Sequence, residues 1–225
     1  MYALLVFHEP MISGLQFWED DEARTASGQM AMDEALLRLA RCPVVRFYRW
    51  AAPALTFGYA QRYADVRASA GALPAIRRWT GGGMVFHGED LTIALAVPAS
   101  HDLCRVETGM VYQRIHEALL GAVREIFPGA RLAGAGDCRA GPACFVSPAL
   151  NDILDGATKI CGGALRRGKA GLLYQGSLHG NFSVVPLARS LAASAEPFEP
   201  DGELQRDCVR LDVEKYRTPG WNQMR

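Results

Sequence analysis

The sequence predicts an α+β domain with a mixed, mostly antiparallel sheet and packed helices. Two patterns and one absence carry that prediction. Leu91, Ile93, Leu95 and Val97 alternate with Thr92, Ala94 and Ala96, so residues 91–97 read as a strand with one bulky and one small face. Val111, Ile115, Leu119, Val123 and Ile126 recur at helical spacing and mark a long amphipathic helix within 106–127. Strand-like and helix-like segments otherwise follow one another without the regular βαβ rhythm of a parallel sheet.

In chain order, the apolar run 3–7, broken by His8, Glu9 and Pro10, is expected to be a first strand. No basic stretch precedes it, so it does not read as a secretion signal. Ser27 followed by Met30, Ala31, Ala35, Leu36 and Leu39 predicts a helix with Ser27 as its N-cap. Residues 44–50 and 54–58 read as strands on either side of Ala51-Ala52-Pro53, and 84–86 as a short third one. After the long helix come extended pieces at 143–145, 151–154, 158–165 and 171–178. Asp155-Gly156 fits a tight hairpin turn between the second and third of these. Residues 186–225 are rich in Pro, Glu and Asp and carry the weakest pattern. The chain is therefore read as one domain over 1–225, with its core in 1–185.

Charge and composition narrow the function classes. The 225 residues carry 24 basic and 24 acidic side chains, which leaves no basic field to gather phosphates and makes nucleic acid an unexpected partner. No run nears the roughly 18 apolar residues of a membrane helix, so no membrane association is expected. Cysteines stand at 42, 104, 138, 144, 161 and 208 without a CxxC pair or a Cys/His metal spacing. They read as reduced thiols of a cytoplasmic protein with no metal site.

Two segments invite a ligand. Gly163 to Lys169 has the GxxxxGK spacing of a phosphate loop, but Ala170 stands where a magnesium-binding hydroxyl belongs and the context is a hairpin. The richer segment is 77–92, in which Arg77-Arg78-Trp79-Thr80-Gly81-Gly82-Gly83 leads to His87. Consecutive glycines let backbone approach a ligand closely. Arg78 offers a fixed cation, and His87 a hydrogen-bonding or proton-transfer group. The competing reading is a hairpin with solvated arginines.

This segment resembles the RRxxGGGxVxH stretch of the lipoate–protein ligase and octanoyltransferase family, related in fold to biotin–protein ligases. The likeness extends to residues 28–37, to Asn151-Asp152-Ile153, to Lys159-Ile160-Cys161-Gly162-Gly163-Ala164 and to Gly176-Ser177-Leu178, in the family's order. It implies the biotin/lipoate ligase catalytic fold, with helices on one side of the sheet. Lys159 is then the catalytic lysine. Arg78, Thr80, Gly81, Gly82, Gly83, His87, Asn151, Asp152, Gly162, Ala164, Gly176 and Ser177 bind substrate. Regular alternation puts Lys159, Cys161 and Gly163 on one strand face, and residues 80–83, His87, Asn151, Asp152 and Lys159 are expected to line one tunnel.

Residues 142–148 resemble the Cys-Phe-x-x-Pro segment of one octanoyltransferase branch, which makes Cys144 the acyl-carrying nucleophile. The implied reaction moves an octanoyl or lipoyl group onto a lysine of a lipoyl carrier domain, with no cofactor. Implied partners are an acyl-carrier protein and the lipoyl domains of 2-oxoacid dehydrogenase subunits or the glycine cleavage H protein. The tail would lie along the glycines and Ala94 and Ala96. Gly83 and Asn151-Asp152 are ligase-like, so the alternative is a lipoate ligase using ATP and Mg, with Cys144 structural. A non-catalytic carrier-binding protein is a third reading. Cys161 is read as a tolerated replacement for a small residue, and Gln175 stands where many members have His.

Overall fold

The computed structural model describes residues 10–138 and 147–224. The expected strand at 3–7, and the piece at 143–145 with Cys144, lie outside the described residues. The chain begins with β1 (Ile12–Asp20), α1 (Ala26–Leu39), β2 (Val44–Tyr48), β3 (Ala54–Phe57), α2 (Tyr63–Ala70) and β4 (Ala75–Arg77). β5 (Val85–His87), β6 (Leu91–Pro98), α3 (Thr108–Arg124), β7 (Arg131–Leu132) and β8 (Ile153–Asp155) follow. Then come β9 (Thr158–Arg167), β10 (Gly171–Leu178), α4 (Val184–Leu191), β11 (Ala192–Pro197), α5 (Gly202–Leu211) and α6 (Pro219–Asn222).

The strands form an eight-stranded sheet in the order β11-β1-β2-β6-β10-β9-β8-β7 and a three-stranded sheet in the order β4-β3-β5. In the large sheet β1 runs parallel to β2 and β11, and the other neighbours are antiparallel. The expected α+β class and mixed sheet are what is found.

The two faces of β6 organise the core. Leu91, Ile93, Leu95 and Val97 meet Val111, Ile115, Leu119 and Val123 of α3 and Leu187 and Leu191 of α4. Ala94 and Ala96 meet Met30, Ala31 and Ala35 of α1, with Leu204 and Leu211 of α5 beyond. Helices thus cover both faces, which corrects the one-sided arrangement. Small residues on β6 seat α1 closely against the sheet, so Ala94 and Ala96 are packed under a helix rather than open to an acyl tail.

Other boundaries also move for local reasons. Thr25, not Ser27, caps α1: its backbone is extended and its Oγ1 accepts the Gly28 N–H at 3.2 Å. α3 ends at Arg124, which leaves Ile126 off the helix and 43% exposed. In the hairpin Asp155 pairs with Thr158, and Gly156 takes φ +57°, a left-handed conformation that glycine adopts without steric cost.

The C-terminal stretch is well organised. β11 pairs with β1, α5 packs on α1, and α5 runs into a π-helical turn, Asp212–Tyr216. Lys215 and Tyr216 of that turn both reach Glu34 of α1. α6 is then pinned to β4. The fully buried Arg77 guanidinium donates to the carbonyls of Trp221 at 3.1 Å, Asn222 at 3.0 Å, and Tyr59 and Gln61 at 2.7 Å each. Its backbone N–H donates to Asn222 Oδ1 at 2.8 Å. Arg77 is a structural clasp, not a solvated arginine.

Candidate active site

Lys159 reaches its position through a break in strand alternation. Ile153 pairs with Cys161 while Leu154 pairs with Lys159, so β9 holds an extra residue, Ile160, against β8. A bulge of this kind turns two successive side chains toward one face, and both Ile160 and Cys161 lie in the α3-side core. Lys159 therefore lies over Gly162 and shares a cavity with Ala164. This corrects the expected grouping of Lys159 with Cys161. Cys161 is fully buried, and burial pushes its thiol up to about 12, so it is an inert core residue.

Lys159 Nζ pairs with Asp152 Oδ2 at 2.7 Å, and both side chains are buried. Asp152 Oδ2 also accepts the Ala149 N–H at 2.6 Å, and Oδ1 accepts the Tyr112 hydroxyl. Asn151 shapes the turn that delivers Asp152. Its φ is +67°, which makes it the one non-glycine residue with positive φ among the described residues; asparagine tolerates that conformation. A Cβ at Gly162 would overlap Cε and Nζ of Lys159. Gly162→Ala is accordingly expected to push the ammonium off Asp152 and to cost about 1–3 kcal/mol by overpacking. The thermal midpoint should drop by roughly 2–10 °C. An unchanged melt with Lys159 still on Asp152 in a crystal structure would refute this account of the glycine.

The other wall is built on the small sheet. Gly82 has φ +81°, which restricts that position to glycine for steric reasons. Arg78 holds the turn from behind, donating to Gly81 O at 2.9 Å and Gly83 O at 2.8 Å. Its other terminal nitrogen donates to Thr56 Oγ1 at 2.8 Å. Thr56 lies 2.7 Å from His87 Nε2, and His87 Nδ1 lies 2.9 Å from Asp90 Oδ2. Arg78 can only donate, so Thr56 accepts from it and keeps its own proton available for Nε2. A neutral imidazole fits this arrangement with its proton on Nδ1 facing Asp90 and Nε2 accepting from Thr56. Burial lowers its pKa, outweighing Asp90. Burial acts against Asp90 ionisation, yet hydrogen bonds from His87, Ser177 and the Gly88 N–H bring its carboxyl down to about 2. Trp50 stacks on His87 with ring centres 4.0 Å apart and bonds Thr92.

Behind both walls runs a buried polar chain. Thr80 Oγ1 donates to Gln175 Oε1 at 2.7 Å, and Gln175 Nε2 donates to Asp33 Oδ2 at 2.6 Å. Asp33 accepts from Tyr48 and from Arg46, which also bonds Asp20. Burial raises the Asp33 pKa against the pull of Arg46.

The cleft between these walls spans about 430 Å³ of empty space, open solvent at its mouth included. Of the expected site residues, Arg78, His87, Lys159, Gly162, Ala164, Gly176 and Ser177 line it. Thr80, Gly81, Gly82, Gly83, Asn151 and Asp152 stand outside its lining, in supporting positions. The tunnel is therefore narrower in membership than expected: the glycine turn shapes Arg78, and Asp152 orients Lys159. Sequence reasoning missed Met30, Tyr48, Trp50, Thr56 and Thr92 as lining residues. They come from strands and a helix whose patterns speak only of burial. Asp90 lay inside the quoted segment and carried the signal of an acid three residues after a histidine.

Among the described residues there is no group of three or more His, Cys, Asp or Glu side chains placed to hold a metal ion, and no helix long and apolar enough to cross a membrane. The fold and site define an α+β domain with one buried lysine held over glycine-bearing strands. The chain belongs to the lipoyl protein ligase A/B catalytic domain family, whose model matches residues 25–203. It is 32% identical to octanoyltransferase LipM of Macrococcus caseolyticus over 183 residues, 74% of this chain and 66% of that protein. Octanoyltransferase LipM of Moorella thermoacetica is 31% identical over 161 residues, 66% of this chain and 59% of that protein. The chain thus spans about six-tenths of the length of these relatives. In fold it is similar to lipoate-protein ligase A bound with ATP, with TM-score 0.70 at 20% identity over 95% of this chain and 99% of that one. The bipartite lipoate protein ligase of Thermoplasma acidophilum, studied with its E2 lipoyl domain, gives TM-score 0.66 at 19% identity over 94% and 96%.

Proposed function

We propose that the chain acts as one catalytic domain that moves an octanoyl group from an acyl-carrier-protein thioester to a lysine of a lipoyl carrier domain. The observation that supports this most is the buried Lys159–Asp152 pair opening into an apolar-walled cavity, in a chain about 30% identical to octanoyltransferases. In this reading the Cys144 thiolate attacks the thioester carbonyl, and the carrier thiol leaves. Lys159 steadies the oxyanion. The carrier lysine then attacks the acyl-enzyme as the free amine, loses its proton to solvent and forms the amide, releasing the Cys144 thiolate. Thioester chemistry of this kind draws on no cofactor, and a free reactive thiol suits the cytoplasm. The role of Cys144 rests on its sequence likeness alone.

Incubation with octanoyl-carrier protein, without ATP, tests this. Intact mass should rise by one octanoyl group, hydroxylamine should remove it, and Cys144→Ser should lose transfer because a serine without a dedicated base is a far weaker nucleophile. An active Cys144→Ser protein that requires ATP would establish the ligase reading instead.

A further inference from the structure

The helix α3 presents one tyrosine to the Lys159 site that no part of the proposed reaction uses. The Tyr112 hydroxyl donates to Asp152 Oδ1 and accepts the Gly163 N–H at 3.0 Å. It thereby joins three things: the carboxylate that holds Lys159, the strand that carries Lys159, and the helix on the opposite face of the sheet. A phenol bonded this way uses its one proton on Asp152 and its lone pair on Gly163, so its direction is fixed. We propose that Tyr112 is a positioning residue that sets how tightly Asp152 holds the Lys159 ammonium, and so where that charge stands for the acyl group.

The argument is one of satisfied valence. Asp152 Oδ2 takes Lys159 and the Ala149 N–H, and Oδ1 takes Tyr112. A carboxylate with several donors spreads its charge among them and leaves the ammonium less firmly bound. Without the tyrosine hydroxyl, Asp152 turns more of its charge on Lys159, and the Gly163 N–H loses its acceptor. Lys159 is then drawn back from the cavity toward Asp152.

Other titratable groups face this pair and stay silent over the working pH range. Burial lowers His116 of α3 to about 4 and raises Cys161 of β9 to about 12. Burial likewise holds Tyr174 of β10 and Tyr112 itself well above the ordinary phenol value. His87 of β5 lies across the cavity, neutral by burial. The Cys144 thiol and the carrier lysine also titrate in the proposed reaction, so the pair is reported by the Lys159 signal itself, with the kinetic profile as its companion.

This inference rests on the proposed transfer for its kinetic arm but not for its spectroscopic one. Tyr112→Phe should lower kcat roughly ten- to a hundredfold, the loss of one hydrogen bond to a charged group, with KM for the octanoyl carrier within about twofold. The alkaline limb of the pH profile should move to higher pH, because the ammonium is held more firmly. Tyr174→Phe is the control: it loses its bond to His116 at 2.8 Å, keeps its ring beside Tyr112 and removes no hydrogen bond from Asp152, and should lower the melting temperature while leaving the pH profile in place. The chain has three lysines, Lys159, Lys169 and Lys215, so the Lys159 side chain can be followed by carbon NMR on labelled lysine and assigned with Lys159→Arg. Its titration should move upward in Tyr112→Phe and stay fixed in Tyr174→Phe. A wild-type titration and wild-type kcat in Tyr112→Phe would overturn the proposal. A moved titration in a protein that transfers no octanoyl group would uphold it and overturn the transfer reading.

Discussion

Lys159→Ala is expected to reduce acyl transfer by at least about a hundredfold, the usual consequence of removing a principal oxyanion partner. The same change should destabilise the fold by about 3–5 kcal/mol, because it leaves the Asp152 carboxylate buried without its cation. The side chains of Lys159 and Asp152 are 5% and 0% exposed, so water gives little compensation. These two effects separate in the double variant Lys159→Ala with Asp152→Asn. Removing the orphaned charge should return much of the melting temperature and none of the transfer. A double variant that regains transfer would show that Lys159 is a structural partner only. A single variant that melts as wild type would show that the pair contributes nothing to stability.

The second large effect is expected far from the reacting atoms. Arg46 is 0% exposed and lies between the rings of Trp18 and Tyr48, 5.4 and 4.0 Å from their centres. It bonds Asp20 at 2.7 Å and Asp33 at 2.6 Å. Arg46→Leu leaves the Asp33 carboxylate in the core without its cation, while Asp20 keeps Arg24, and should cost about 3–5 kcal/mol, read as a drop of roughly 6–20 °C in the thermal midpoint. The sign of its pH dependence is fixed by Asp33, whose pKa burial already raises in the folded state. A raised carboxyl binds its proton more tightly folded than unfolded, so stability falls as pH rises through that window. Losing the Arg46 cation widens the window upward. The deficit of Arg46→Leu should therefore be largest near neutral pH and shrink as the solution is acidified. A deficit that is constant or grows on acidification would rule out a stranded Asp33 carboxylate as its cause.

Much of the scaffold was legible because it follows simple periods. The two faces of β6 separate bulky from small residues, and each face finds its own helices. The stripe of α3 and the glycine of the 153–167 hairpin are likewise local patterns with one physical meaning. β1 was not legible because its buried residues are Ile12, Leu15, Trp18 and Asp20, which follow no alternation. β11 was missed because a parallel edge strand needs a partner far away in the chain. The site was legible in its residue types but not in its geometry. Only the bulge at Ile160 puts Lys159 over Gly162, and nothing in a run of apolar letters announces a bulge. Arginine is mostly a solvent-facing residue, so no local pattern marks Arg46 and Arg77 as wholly enclosed. Those enclosures depend on partners up to 145 positions away.

That separation has a consequence for how the protein is made. On a ribosome the chain emerges from its N-terminus at about 5–20 residues per second. β1 then has one free edge until β11 emerges, and α1 has an uncovered flank until α5 follows. Arg77 lacks the two carbonyls of α6 until residues 221 and 222 have been translated. The Arg78 turn beside it bonds early residues, Thr56, Gly81 and Gly83 among them, but the β4 end that carries it waits for α6. A nascent chain can therefore pair the lysine strand before the clasp behind the glycine turn has closed, so the two walls of the site are completed at different times.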